Sequence, residues 1–504
     1  MRNSIKIAAV AAACLVGTTS AYALKTEKRD MKNNMSINYK VTPKAVNSFD
    51  EMFSEGVLYG RLRSNMFHWD WANDNPGKTQ DNSAWGVGGS LIYSTGYLGG
   101  FGATVGMYTS HTIQTDNTDG AYPGVDFGKA GKDTYNRSQG SGAPMEVMAL
   151  AYVEYKAGKT SFKAGRQIFE STLLRSNDTK MIPNTFEGYS IDSKDLDKTR
   201  LRLAYFNSQK LRDHSDFHSV MATSGAGDNY ANNDDAGKHK GLSAANIIAA
   251  GEDVNPGMIV ATAENKSIKG LKLNLDGMYI DGFVSSAIAE VNYKIDLGDG
   301  MTLTPGARYI HQMDEGAGAI GGAALSGNTG GYSDPNSVDG SAWMARLKLA
   351  QGAGSITAGY SAIADDADII AQWRGFATGG YTRSMAQYNW EADTKSWMVK
   401  AAYNFGKAGM VEGLRGAIDY AEMDYDTDRA GISKTDRSIV HLDMFKTFKS
   451  SPNLELKLRA AMIDAESSSA KNYNSYNEYR FEVNYFFKTT GYINEITLDY
   501  TYYS

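Results

Sequence analysis

The amino-acid sequence predicts an all-β chain that closes into a transmembrane, antiparallel, up-and-down β-barrel of 16 to 20 strands. Apolar and polar residues alternate with period two along most of its length, the signature of strands with two unlike faces. Short connections alternate with long ones, as periplasmic turns alternate with extracellular loops. Beyond position 23 no apolar run reaches the ~20 residues that a membrane-crossing helix needs.

Composition agrees with that reading. Among 504 residues there are 53 Gly, 31 Tyr, 18 Phe and 7 Trp against 9 Pro and 1 Cys. The aromatic content argues against disorder. The single cysteine, Cys14, excludes a disulfide scaffold and a Cys-built metal site. A formal charge of −6 offers no basic footprint for nucleic acid.

Residues 1–23 have the form of an export signal: Arg2 and Lys6, an apolar stretch from Ile5 to Val16, and Ala21-Tyr22-Ala23 as the cleavage site. Cys14 lies inside the apolar stretch, not at its end, which disfavours a lipoprotein. Without Arg2 and Lys6, 49 basic residues face 57 acidic ones, so the exported chain carries about −8. Residues 24–55 are polar and read as a periplasmic extension. Within it Ser48 and Glu51 have capping-box spacing ahead of a short helix with Phe49, Met52 and Phe53 on one face. The extension is expected to be a tail or a partial plug.

The barrel is expected from residue 56 to 504. Its clearest strand is Val57-Leu58-Tyr59-Gly60-Arg61-Leu62-Arg63, with two arginines on one face and two leucines on the other. Thr199-Arg200-Leu201-Arg202-Leu203 and Leu454-Glu455-Leu456-Lys457-Leu458-Arg459 repeat the arrangement. Weaker signals bring the candidates to nineteen, ending with 493–502. A charge on the lipid face near the midplane costs about 2–4 kcal/mol, so the arginines must face the lumen. Phe67 and Trp69, Tyr485 to Phe487 and Tyr500 to Tyr503 are expected in interfacial girdles. A soluble repetitive β-protein would also alternate, but no constant-period repeat is present.

Lys163-Ala164-Gly165-Arg166-Gln167, the pair Asn177-Asp178, and Pro183-Asn184-Thr185-Phe186-Glu187-Gly188 together resemble the OprD-type family of substrate-selective outer-membrane porins. The segment from Phe49 to Arg63 resembles the variants found in epsilonproteobacteria. This resemblance implies 18 strands, extracellular loops folded inward, and a ladder of Arg and Lys along one wall that guides carboxylate-bearing nutrients. The chain departs from the family pattern where Thr179-Lys180 follows the Asn-Asp pair, and where it ends on Ser504, not an aromatic.

Strand parity selects Arg61, Arg63, Arg200, Arg202, Lys457 and Arg459 as the foremost pore-lining candidates, with Arg308, Arg346, Lys348 and Arg480 next. Arginine suits the task because its planar guanidinium takes a carboxylate with two parallel hydrogen bonds and keeps its charge. Pairing with wall carboxylates such as Glu455 and Glu482 is the competing account of these residues. Segment 166–188 is the expected constriction loop, with Arg166, Arg175, Asp178 and Lys180 supplying both signs of charge. Segment 365–391, with Trp373, Arg374, Arg383 and Trp390, is a second loop for the mouth.

No catalytic, metal or cofactor site is expected. Asp213 to His218 is the one local His/Asp/Ser cluster and reads as a polar loop, and Asp424, Asp426 and Asp428 read as a hairpin tip. The expected function is passive passage of small hydrophilic solutes, with a basic lumen favouring anionic or carboxylate-bearing ones. A weakly selective diffusion pore is the nearest rival, and a barrel enzyme or a surface adhesin stands further off. Expected partners are outer-membrane lipids, lipopolysaccharide, the barrel-assembly machinery and the solutes themselves. A monomer and a trimer stay equally open.

Overall fold

The computed structural model describes residues 43–72, 81–115, 135, 144–212, 214–223, 238–327, 330–385, 387–429, 434–466 and 475–489. Eighteen strands among them build the wall. They are β1 Val57–Trp71, β2 Asn82–Ser94, β3 Phe101–Thr115, β4 Met145–Ala157, β5 Thr160–Gln167, β6 Thr185–Ser193, β7 Thr199–Lys210, β8 Met258–Asn265 and β9 Leu271–Ile280. The second half comprises β10 Val284–Tyr293, β11 Met301–Asp314, β12 Gly340–Gln351, β13 Gly354–Ile363, β14 Lys395–Asn404, β15 Leu414–Asp424, β16 Arg437–Thr447, β17 Leu454–Ala465 and β18 Tyr476–Thr489.

Each strand pairs antiparallel with the next, and β1 pairs with β18 from Leu58 opposite Thr489 to Trp71 opposite Tyr476. The sheet therefore closes and leaves no edge exposed in the wall. Eighteen of the nineteen strand candidates fall on these strands, and the last, 493–502, lies outside the described residues, as does the signal segment 1–23. No helix among the described residues is long and apolar enough to cross a membrane.

Side chains alternate as the charge cost in lipid requires. Leu62 is 48% exposed on the outer wall, while its neighbours Arg61 and Arg63 are 2% and 4% exposed inside. Connections of two to nine residues, such as 158–159 and 352–353, gather at one end, and long ones, such as 168–184, 211–257 and 364–394, at the other together with the three-residue turn 281–283. The long loops turn inward. Nearly every residue from Ala367 to Ala392 that the structure describes is buried, so the molecule's main apolar core lies inside the barrel. Loops in a membrane protein can run at this depth only because they are packed within protein.

Three aromatics expected at the interface, Phe67, Trp69 and Phe486, are instead internal, Phe486 lying on the inward face of β18 opposite Arg61. Phe67 packs against Tyr135, and Trp69 stacks on Tyr476 with ring centres 4.8 Å apart. Strand parity decides this: both share a face with Arg61 and Arg63, and loops cover that face at the long-loop end. Ahead of β1, the helix α1 (Phe49–Ser54) is capped as its spacing indicates, Glu51 N–H donating to Ser48 Oγ at 3.2 Å. The Tyr93 hydroxyl donates to the Phe53 carbonyl at 2.5 Å and Gly96 N–H to the Met52 carbonyl at 2.8 Å, which holds α1 at the short-turn rim.

Gly165 and Gly188 face each other across β5 and β6 with φ of +119° and +152°. A Cβ at Gly165 would lie 2.2 Å from the Ala151 carbonyl oxygen, so side chain and backbone both forbid substitution. Gly352, with φ +54°, turns in open space. Urea unfolding in detergent is expected to show Gly165→Ala losing about 2–3 kcal/mol and Gly352→Ala about 1 kcal/mol or less.

Candidate functional site

A lumen of 18 strands is wide enough for water, and what remains open depends on what the loops fill. Loop 168–184 leaves the wall between β5 and β6. Near its start Thr172 donates through its N–H (2.7 Å) and its hydroxyl (2.5 Å) to Asp276 on β9. Near its end Asp178 accepts from Arg61 and Arg63 on β1, and the Thr179 carbonyl accepts from Asn65 at 2.8 Å. β1 and β9 lie almost half a circumference apart in an 18-stranded barrel, so the loop is a strut across the lumen, pinned at both ends.

The β1 anchorage is a buried charge cluster. Arg63 also donates to Glu482 at 3.0 Å, and Lys457 reaches Glu482 at 3.4 Å. Burial alone would raise the Asp178 pKa, but Arg61 and Arg63 more than offset it and hold the carboxyl below its ordinary range. Stability from this contact is therefore complete above the unfolded carboxyl's pKa of about 3.9 and is lost only as pH falls through the lower folded value.

Loop 364–394 fills the opposite lobe. Arg308 on β11 donates to the carbonyls of Ala377 (2.9 Å) and Gly379 (3.0 Å), and Arg346 on β12 to that of Gly380 (2.9 Å). Ser384 donates to Asp419 on β15 at 2.6 Å, and Gln387 to Tyr476 on β18 at 2.7 Å. The two loops meet where Arg175 N–H donates to the Trp373 carbonyl (3.0 Å) and Gly375 N–H to the Leu173 carbonyl (2.8 Å).

Beside the strut lies a cavity of about 400 Å³ running along β1 to β11, with Phe169 to Thr172 and Arg175 of the strut on one side. Seven cationic and six carboxylate side chains line it. Most are matched: Arg200 with Asp192, Lys272 with Glu264 at 2.9 Å, Arg308 with Glu290, and Arg175 with Glu170 at 3.6 Å. Arg202 differs. Its Nε donates to the Thr262 hydroxyl at 2.9 Å, its guanidinium lies 5.0 Å from the Phe169 ring centre, and it makes no carboxylate ion pair within 4 Å among the described residues, although Asp192 opposes it on β6. Lys163, over the Tyr152 ring at 4.5 Å, likewise makes no carboxylate ion pair within 4 Å, with Glu154 opposite it on β4.

The ten wall cations selected by parity thus fall into groups. Arg200, Arg202 and Arg308 border the cavity. Arg61, Arg63 and Lys457 form the strut's anchorage, and Arg346 holds loop 364–394. Arg459 is paired with Asp443 and Arg480 with Glu478, so both are matched within the wall. Lys348 shares the inward parity of Arg346 and is exposed.

In the loop set, Arg175, Asp178 and Lys180 lie inside the barrel, Lys180 fully buried. Arg166 does not belong with them. It is the penultimate residue of β5 and its side chain lies on the outer wall, paired with Glu187 at 3.3 Å and stacked on Phe217 at 4.5 Å. The loop begins two residues later than expected, and one-residue parity turns Arg166 outward while Gln167 points in. Asp276, Glu290 and Thr172 were missed. The first two sit on patterned strands, and extending the parity rule from cations to carboxylates finds them.

A closed 18-stranded barrel, lipid-facing outside and charged within, with loops folded into its lumen, is the architecture of an outer-membrane channel. Residues 53–489 match the family model described as outer membrane porin, OprD family. The chain belongs to the OprD family of outer-membrane porins, which are channels and not enzymes. Solved structures agree in fold. OccAB3 of Acinetobacter baumannii aligns with a TM-score of 0.68 at 16% identity, covering 86% of this chain and 99% of that one. OccK8 (OprE) of Pseudomonas aeruginosa gives 0.66 at 18%, covering 87% and 99%. OpdK of Pseudomonas aeruginosa, solved with vanillate, gives 0.64 at 16%, covering 87% and 100%. No curated protein matches the chain significantly. In an outer-membrane barrel the long loops are extracellular and the short turns periplasmic.

Replacing Asp178 with Asn removes the charge that Arg61 and Arg63 share, a change worth about 3–5 kcal/mol when a buried pair is broken. Asp178→Asn is expected to free the β1 end of the strut and raise single-channel conductance, with more frequent current fluctuation. Unchanged conductance and noise would show that the strut holds without this contact.

Proposed function

We propose that this porin passes small hydrophilic solutes with a preference for those that carry a carboxylate. Arg202 carries the reading. A guanidinium that makes no close ion pair, beside the strut and facing the open cavity, offers a passing carboxylate the pair of parallel hydrogen bonds that its matched neighbours spend on the wall. Lys163 adds a second cation that makes no close ion pair on the same wall. Phe169, beneath Arg202, gives an aromatic solute a surface to lie against. The named ligand of OpdK, vanillate, is an aromatic carboxylate, in keeping with this chemistry.

Seven cations against six carboxylates is close to balance, which favours a modest preference over strict anion selectivity. The weakly selective pore therefore stands as the second reading. Local field at one unpaired arginine, and not a net positive lumen, would then do the selecting. Export by a signal in residues 1–23 and a periplasmic position for residues 24–55 complete the proposal. Pro43, which borders the cavity, and α1 at the short-turn rim support that position.

Liposome uptake tests it. Wild-type protein should admit benzoate faster than a neutral solute of equal size, and Arg202→Gln should reduce the benzoate rate roughly tenfold, the effect of losing one charge-assisted contact of about 1.5 kcal/mol, while sparing the neutral one. Equal loss for both solutes would indicate altered width, and no loss would remove Arg202 from the selective step.

A further inference from the structure

At the short-turn rim one apolar face is left uncovered by the described protein. Phe49 and Phe53 of α1 are 66% and 50% exposed, and their rings meet edge to face with centres 5.1 Å apart. Helical spacing puts both on one side with Met52, while Asp50 and Glu51 lie off that side. Neighbouring exposed aromatics on a short helix mark a contact surface.

What the face meets follows from where the helix is tied. Tyr93 belongs to the outward set of β2, two residues after the half-exposed Leu91 and opposite Leu58 of β1. Its hydroxyl donates to the Phe53 carbonyl at 2.5 Å, and a Cβ at Gly56 would lie 2.2 Å from the same hydroxyl. The helix is therefore fastened to a side chain of the lipid-facing wall, and Gly96 N–H, donating to the Met52 carbonyl at 2.8 Å, fastens it to the turn after β2. At the same rim the exposed Phe101, Tyr155 and Phe162 of β3 to β5 stand in a row, with successive ring centres 4.6 and 6.4 Å apart. Such a row is the girdle of a membrane interface, and α1 continues it toward β1.

We propose that α1 is an interfacial anchor whose partner is the lipid surface itself, with Phe49 and Phe53 set among the headgroups of the periplasmic leaflet. Six residues are too few to hold a membrane alone, so the ties to Tyr93 and Gly96 supply the position and the two rings supply the contact. Asp50 and Glu51 stand where a helix drawn to anionic headgroups carries lysines, so apolar burial and not charge makes this contact. The anchor reaches the lumen through the chain just ahead of it. Ala45 and Val46 pair with Tyr97 and Leu98, and Pro43 and Tyr97 border the cavity. Lipid contact outside the barrel thereby steadies part of the cavity's lining. The inference stands independently of the carboxylate preference at Arg202.

Spin labelling tests it. A Cys14→Ser chain has no other cysteine, so Phe49→Cys in that background takes a single nitroxide label. In the refolded protein in phospholipid vesicles, collisions of the label with oxygen, which concentrates in lipid, and with a water-soluble nickel complex report its depth. The label should lie about 5–10 Å into the boundary of headgroups and acyl chains. It should share the preference for oxygen of a label at Leu91→Cys on the wall, and lose most of the nickel collisions that a label at Asp50→Cys keeps. Equal nickel access at positions 49 and 50 overturns the proposal, because the face then lies in water. Low access to both reagents at position 49 also overturns it, because protein, from a second copy or from the extension, then covers the face. Should Phe49→Cys not refold, Phe53→Cys gives the same reading.

Discussion

The contact of Asp178 with Arg61 and Arg63 organises the lumen. It forces a loop that leaves the wall at β5 to cross to β1, and Thr172 on Asp276 fixes the near side of the same crossing. Once the strut lies across the barrel, the lumen has two lobes. Loop 364–394 fills one and the 400 Å³ cavity occupies the other. The remaining geometry follows from that division, including which arginines meet solute and which meet protein.

Energetics explain why most of the wall cations are matched. A lumen crowded with loops is partly desolvated, and an unmatched charge there costs several kcal/mol where a matched one is tolerated. Arg63, Lys457 and Glu482 illustrate the rule at the strut's anchorage, and Arg308 with Glu290 illustrates it beneath loop 364–394. An arginine that breaks the rule is therefore informative. Arg202 breaks it facing open space, which is why it is read as a site of passage.

Much of the fold was legible in the sequence because the bilayer imposes a strict grammar. Lipid on one side of every strand forces period-two patterning, and that patterning located all eighteen strands and turned Arg61, Arg63, Arg200, Arg202, Arg308 and Arg346 inward. Parity says which face a residue occupies and nothing about what lies across the lumen. Hence Asp178 was recognisable as a loop residue, but its partners, 115 or more positions away in sequence, were not. The same limit misplaced Phe67 and Trp69, whose inward face is covered by loops at the height where a girdle was expected. Arg166 shows how narrow the margin is: one residue separates the outer wall from the lumen.

The central claim is that one lobe of this barrel stays open and that its field mildly favours anions. Single-channel recording of the refolded protein in a planar bilayer under a potassium chloride gradient tests it most directly. The account predicts discrete openings with a reversal potential displaced toward that of chloride. Folded and inserted protein that passes no current, or a reversal potential displaced toward that of potassium, would contradict it.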